Sequence, residues 1–120
     1  MSKWVAAFVL SLAMLPGPAR AECRVEGFHF FAGSETETNM TVSSGKRCGF
    51  IVHAAGRSRF DNLGIAQRPG HGALSSRSGV GFDYTSAAAY KGEDAFVVTV
   101  TGAMRTGNGT ARIKVHVTVL

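Results

Sequence analysis

Apolar and polar residues alternate along several stretches of the chain. In "ARIKVHVTVL", residues 111–120, Ile113, Val115, Val117 and Val119 share one parity, and Arg112, Lys114, His116 and Thr118 take the other. Successive side chains of a strand point to opposite faces, so a period of two predicts a strand with one buried face and one wet face. "DAFVVTVT" repeats the pattern with Phe96, Val98 and Val100 inward. "CGFIVHA" predicts a shorter strand, with Phe50 and Val52 on one face and Ile51 and His53 on the other. "RVEGFHFF" alternates less cleanly, and Gly27 within it suggests a bulge or a close backbone approach.

Breakers separate these runs. "SSGK" at 43–46, "RPGHG" at 68–72 and "TGNG" at 106–109 read as turns. "SAAAY" at 86–90 has helical propensity but is too short to sustain a helix, because nucleation is costly. It reads as a turn or short crossover. Short strands with glycine-rich turns and no long helical period predict an all-β fold, an antiparallel sandwich or barrel. No internal repeat, linker or low-complexity tail interrupts it.

The beginning of the chain departs from this pattern. Lys3, a nearly unbroken apolar run over 4–15, the breakers Pro16, Gly17 and Pro18, and the small residues of Ala19-Arg20-Ala21 have the three zones of a secretory signal. The reading is a signal peptide over 1–21, cleaved after Ala21, and a single domain over 22–120. The apolar run is short for a membrane span, which takes about 20 residues. An uncleaved anchor or a buried core helix is the bland alternative. The chain's formal charge is +5; without Lys3 and Arg20, eleven basic residues face eight acids, a net +3. That balance favours acidic surfaces modestly and does not by itself imply nucleic acid.

Two cysteines, Cys23 and Cys48, lie in the expected mature chain. In an exported protein an even pair is most simply a disulfide. A metal site would want a closer pair of the CxxC kind, and the compartment disfavours two free thiols.

The C-terminal half then shows an ordered set of landmarks. Pro69 and Gly72 precede a strand ending at Tyr84 and Thr85; Tyr90, Gly92, Asp94 and Phe96 form a "Y-x-G-x-D-x-F" turn; two alternating strands follow, joined near Gly107 or Gly109. Over about 50 residues this resembles the bacterial Ig-like and cadherin-like β-sandwich modules. The resemblance implies an antiparallel Ig-like β-sandwich and a role in binding or interaction; it implies fold more strongly than function. Such modules often stand in tandem and bind calcium through acidic runs. Here "RSRFDNLG" offers one acid, Asp61, beside Arg57 and Arg59, so a site needing several oxygen ligands is not carried over.

Few residues suggest chemistry. Glu93 and Asp94 are adjacent, but neighbours on a strand diverge. Asp94 shares the inward parity of Phe96 and is expected to accept hydrogen bonds from turn amides, with Gly92 shaping the backbone. Gly92, Asp94 and Phe96 are therefore read as a structural turn. His29, His53, His71 and His116 show no close ligand spacing, although His53 and His116 can meet across a sheet, and Met40 and Met104 add soft ligands. No G-x-S-x-G elbow accompanies Ser75, Ser76 and Ser78. Arg57, Arg59, Arg68 and Arg77, with Lys46 and Arg47, form a candidate binding face for an acidic glycan, lipid head group or protein; the plainer reading is a set of solvated loop residues. Few aromatic residues interleave with them as base-stacking platforms would. "NMT" at 39–41 and "NGT" at 108–110 match the N-glycosylation pattern, which matters only in a eukaryotic source.

The sequence thus predicts an exported, periplasmic or extracellular, non-catalytic binding module. It would need no cofactor or metal and engage a protein or cell-surface polymer rather than nucleic acid. It would contain no membrane span in the mature form, and would carry a Cys23–Cys48 disulfide. The alternative is a periplasmic copper- or zinc-handling protein using histidines and methionines.

Overall fold

The computed structural model describes residues 23–52, 59–77 and 81–120. The expected signal segment and the candidate residues His53, Arg57 and Ser78 lie outside them. The described residues are all-β, with eight strands: β1 (Cys23–Val25), β2 (Glu35–Val42), β3 (Arg47–Ile51), β4 (Arg59–Gln67), β5 (Gly72–Arg77), β6 (Gly81–Ser86), β7 (Gly92–Met104) and β8 (Gly107–Val119). They form two sheets, ordered β1-β2-β8-β7-β4 and β3-β6-β5. Every pairing is antiparallel except β2 with β8, which is parallel.

The alternation seen in the sequence sets the packing. Phe96, Val98 and Val100 of β7 and Ile113, Val115, Val117 and Val119 of β8 are all buried. They meet Phe50 of β3, Leu74 of β5 and Phe82 and Tyr84 of β6 from the other sheet, so both sheets share one core, as in a β-sandwich. Aromatic rings cross it: Phe50 lies 5.8 Å from Phe82 and 6.5 Å from Phe96, and Phe96 lies 5.8 Å from Tyr84, within the range of favourable ring pairs. As predicted, Phe50 and Val52 face inward while Ile51 is exposed.

One stretch adds a strand that the sequence reading left unassigned, and another departs from the expected strand. "ETETNMTV" forms β2, a strand that its charged and hydroxylated residues conceal; only Thr38, Met40 and Val42 are buried. "RVEGFHFF" supplies only the short β1. The chain then crosses without a ladder, although Glu26 still donates its amide to Asn39 O and accepts from Thr38 Oγ1. The β7–β8 hairpin turns at Arg105 and Thr106, with Gly107 at φ 128° just beyond, so the tip lies earlier than the glycines suggested.

The other turns fall where the breakers lie. Ser43–Lys46 closes with the Lys46 amide on Ser43 O and Gly45 at φ 76°, carrying the chain from one sheet to the other. Within "SAAAY" a turn replaces a helix: the Tyr90 amide donates to Ala87 O, and Ala89 adopts φ 67°. A β-carbon is disfavoured in that left-handed region. Ala89→Gly should therefore stabilise the protein by roughly 1 kcal/mol, read as a higher urea midpoint at unchanged slope.

Edge strand β4 carries two register shifts, at Phe60/Asn62 and Ile65/Gln67. Bulges of this kind twist an edge away from stray strand pairing. Opposite the first stands Gly102, where a β-carbon would collide with the Arg59 carbonyl. The Cys23–Cys48 disulfide, with Cα atoms 5.1 Å apart, ties β1 of the larger sheet to β3 of the smaller. It fits an oxidising compartment. Among the described residues no helix is long and apolar enough to cross a membrane.

Candidate functional site

The strand register puts different chemistry at the two ends of the molecule. One end holds the turns 43–46, 68–71 and 87–91. Here Asp94, at the mouth of β7, accepts four hydrogen bonds: from the Gly70 and His71 amides, from its own neighbour Ala95, and from the Tyr84 hydroxyl at 2.8 Å. Two of its donors thus come from the preceding "RPGHG" loop rather than from the turn around Asp94, and the carboxylate staples that loop to β7. Partial burial acts to raise the Asp94 pKa, but these hydrogen bonds outweigh it and hold the carboxyl below its ordinary range. Burial, then the hydrogen bond and charge of Asp94, push the Tyr84 hydroxyl well above an ordinary phenol.

The rest of the motif is structural as well. Gly92 takes φ 137°, and the Tyr90 hydroxyl reaches over it to Glu93 O at 2.5 Å. The His71 ring stacks on Tyr90 with centroids 4.1 Å apart. Glu93 is exposed and turns toward Thr118. The two adjacent carboxylates therefore diverge and do not act on a common atom.

Of the described arginines of the candidate face, Arg77 and Arg47 meet on one carboxylate, and Arg59 and Arg68 stand apart. Arg59 opens β4 and pairs with Asp61 through Nε at 3.1 Å. Arg77 ends β5 and grips Asp83 through both Nε and a terminal nitrogen, with Arg47 at 4.0 Å from the same carboxylate. Arg68 lies toward the Asp94 end and donates to Leu74 O at 3.2 Å, covering an outward-facing carbonyl of edge strand β5. Each has a local partner.

The histidines and methionines are similarly dispersed. His116 on the outer face of β8 lies 2.5 Å from Glu37 on β2, and this hydrogen bond, reinforced by the ring's charge, lowers the Glu37 pKa. Met40 is in the core. Among the described residues no three of His, Cys, Asp and Glu are grouped to hold a metal ion.

The opposite end carries a cleft that the polar motifs did not signal. Its walls are Phe28 and Phe30 from the crossing segment, Phe50 of β3, Phe60 of β4 and Met104 of β7. Its volume is about 810 Å³, within the range of roughly 300–1,000 Å³ typical of small-molecule sites. The crossing segment is anchored on both sides of its aromatic residues. Thr36 Oγ1 donates to His29 O, the Phe31 amide donates to Ser34 Oγ, the Ala32 amide to Thr106 Oγ1, and the Gly33 amide to Thr110 O. Its alternation aims Phe28 and Phe30 inward and leaves Phe31 56% exposed. Phe30 meets Phe60 at 5.7 Å and Phe28 meets Phe50 at 5.9 Å, so the core's aromatic chain continues into the cleft wall. Ile51, 46% exposed, stands at its rim with Arg105. The sequence signal was the cluster Phe28, Phe30 and Phe31, hidden by reading "RVEGFHFF" as an imperfect strand.

No protein-family model and no curated protein matches this chain.

Proposed function

We propose that the protein is an exported, non-catalytic binding module of Ig-like type that engages its partner at the cleft end. The aromatic cleft carries this reading: it is concave, apolar and partly exposed, whereas the apolar faces of β7 and β8 are packed into the core. Exposed apolar surface of that kind commonly marks a contact site. The strand order supports the Ig-like part. β3-β6-β5 faces a sheet in which β8, β7 and β4 are adjacent, the pairing pattern of the two Ig sheets, with β2 added parallel to β8. The disulfide and the signal-like leader support export. The non-catalytic part is supported by the engagement of Asp94, Asp83 and Glu37 in structural bonds.

A photo-crosslinking residue at Ile51 should capture a partner from the exported fraction, while the same residue at Lys91, at the Asp94 end, should not. Equal capture from both ends, or capture from Lys91 alone, would sink the assignment of the contact surface.

A further inference from the structure

We infer that the cleft takes a single-chain amphiphile with an anionic head group, of the long-chain carboxylate class. The inference rests on the binding reading above and names its ligand, in place of the protein or surface polymer that the sequence suggested. Shape argues first for a flexible chain. The wall rings are tilted, Phe28 to Phe30 by 33°, Phe30 to Phe60 by 42° and Phe28 to Phe50 by 86°. They present no parallel pair between which a flat ring could slot, whereas an alkyl chain can follow such a surface. Met104 adds an adaptable thioether to the same wall.

Charge argues for the head group. Arg105, exposed at the hairpin tip, lines the cleft, and among the described residues no carboxylate lies within ion-pair distance of it. Among the described residues Glu26 is the one carboxylate of the lining, and its Oε1 accepts from Asn39 Nδ2 at 3.0 Å. A carboxylate seated at the rim would thus find a guanidinium suited to a paired hydrogen bond, with its chain laid along the phenylalanines. Among the described residues, Arg59, Arg77 and Arg47 are paired with aspartates, whereas Arg105 faces the apolar cleft.

The test is a titration of the disulfide-bonded protein with octanoate, decanoate and dodecanoate below their micellar concentrations, with dodecanol as the uncharged control. Affinity should rise about fourfold per added methylene until the cleft is filled. Arg105→Gln should weaken dodecanoate several-fold and leave dodecanol unchanged. Ile51→Glu and Phe31→Glu, at exposed positions that folding tolerates, should weaken both ligands tenfold or more. Two rim variants guard against one that misfolds, and circular dichroism confirms each. Absence of saturable binding, affinity independent of chain length, or binding indifferent to the rim variants would overturn the inference. Dodecanol and dodecanoate losing equally in Arg105→Gln would overturn the anionic head group. If the amphiphiles fail while crosslinking at Ile51 still captures a partner, the inference falls and the binding reading stands. If both fail, both fall.

Discussion

Cys23→Ser should lower the stability of the protein by roughly 3–4 kcal/mol, the loop-entropy value for a bridge spanning 25 residues. The substitution breaks the bond while leaving the buried Cys48 in place, so it adds no cavity to the core. The cost arises in two places. The unfolded chain regains the freedom that the closed loop denied it. In the folded state β1, three residues long and paired only with β2, loses its covalent tie to the second sheet. Against a typical total of about 5–15 kcal/mol for a small domain, this is a large fraction. Urea unfolding with and without reductant measures it, and a steeper urea dependence should accompany the loss as the unfolded chain expands. A loss below about 1 kcal/mol would mean that pairing with β2 alone secures the first strand.

The consequence for the cleft is direct. β1 leads at once into the segment that carries Phe28 and Phe30, and Val25 packs against the core beside them. The disulfide therefore holds one end of the cleft wall, and the Phe31–Ser34 turn holds the other. A reduced chain should lose ligand affinity before it unfolds globally.

The strands nearest the C-terminus were the most legible in sequence. β7 and β8 pair over 13 residues, and β-branched or aromatic residues dominate their inward faces, so hydrophobic parity alone fixes which side is buried. β2 was illegible for the opposite reason. Its partner β8 supplies the apolar surface, and parallel pairing with a distant strand leaves no local turn to announce it. Glu35, Glu37 and Asn39 face outward, and a buried threonine leaves only Met40 and Val42 as apolar signal, too little to announce a strand.

The candidate sites divide along the same line. The Asp94 turn could be read because its residues are neighbours in sequence, yet its partners Gly70 and His71 lie 24 and 23 residues earlier and needed the fold to appear. The arginines share a sequence region but not a surface: Arg59 opens β4 in one sheet, Arg77 ends β5 in the other, and Arg68 precedes β5 at the far end. The cleft assembles residues from four separate stretches, joined only when the crossing segment closes over the end of the sheets. No spacing rule on a single chain encodes that arrangement.

Asp94→Ala should destabilise the protein by about 2–3 kcal/mol, because it strands the buried Tyr84 hydroxyl and frees two loop amides at once. Tyr84→Phe should cost less, since Asp94 keeps its three amide donors. Glu93→Ala, one residue away, should fall within about 0.5 kcal/mol of the parent, as expected of an exposed side chain without buried partners. Acid titration gives the same ranking by a separate route. The Asp94 carboxyl titrates lower in the folded chain than its ordinary value of 3.8. Its contribution is therefore fully present above that value and is lost as the pH falls through the lowered folded one. Asp94→Asn should flatten the fall in stability over that acid window and leave its slope near neutrality unchanged. Its amide group would also present donors to donors at Gly70 or His71, so the variant should begin less stable at pH 7. Equal sensitivity of Glu93→Ala and Asp94→Ala, or an unaltered acid limb in Asp94→Asn, would remove the carboxylate as the staple between the "RPGHG" loop and β7.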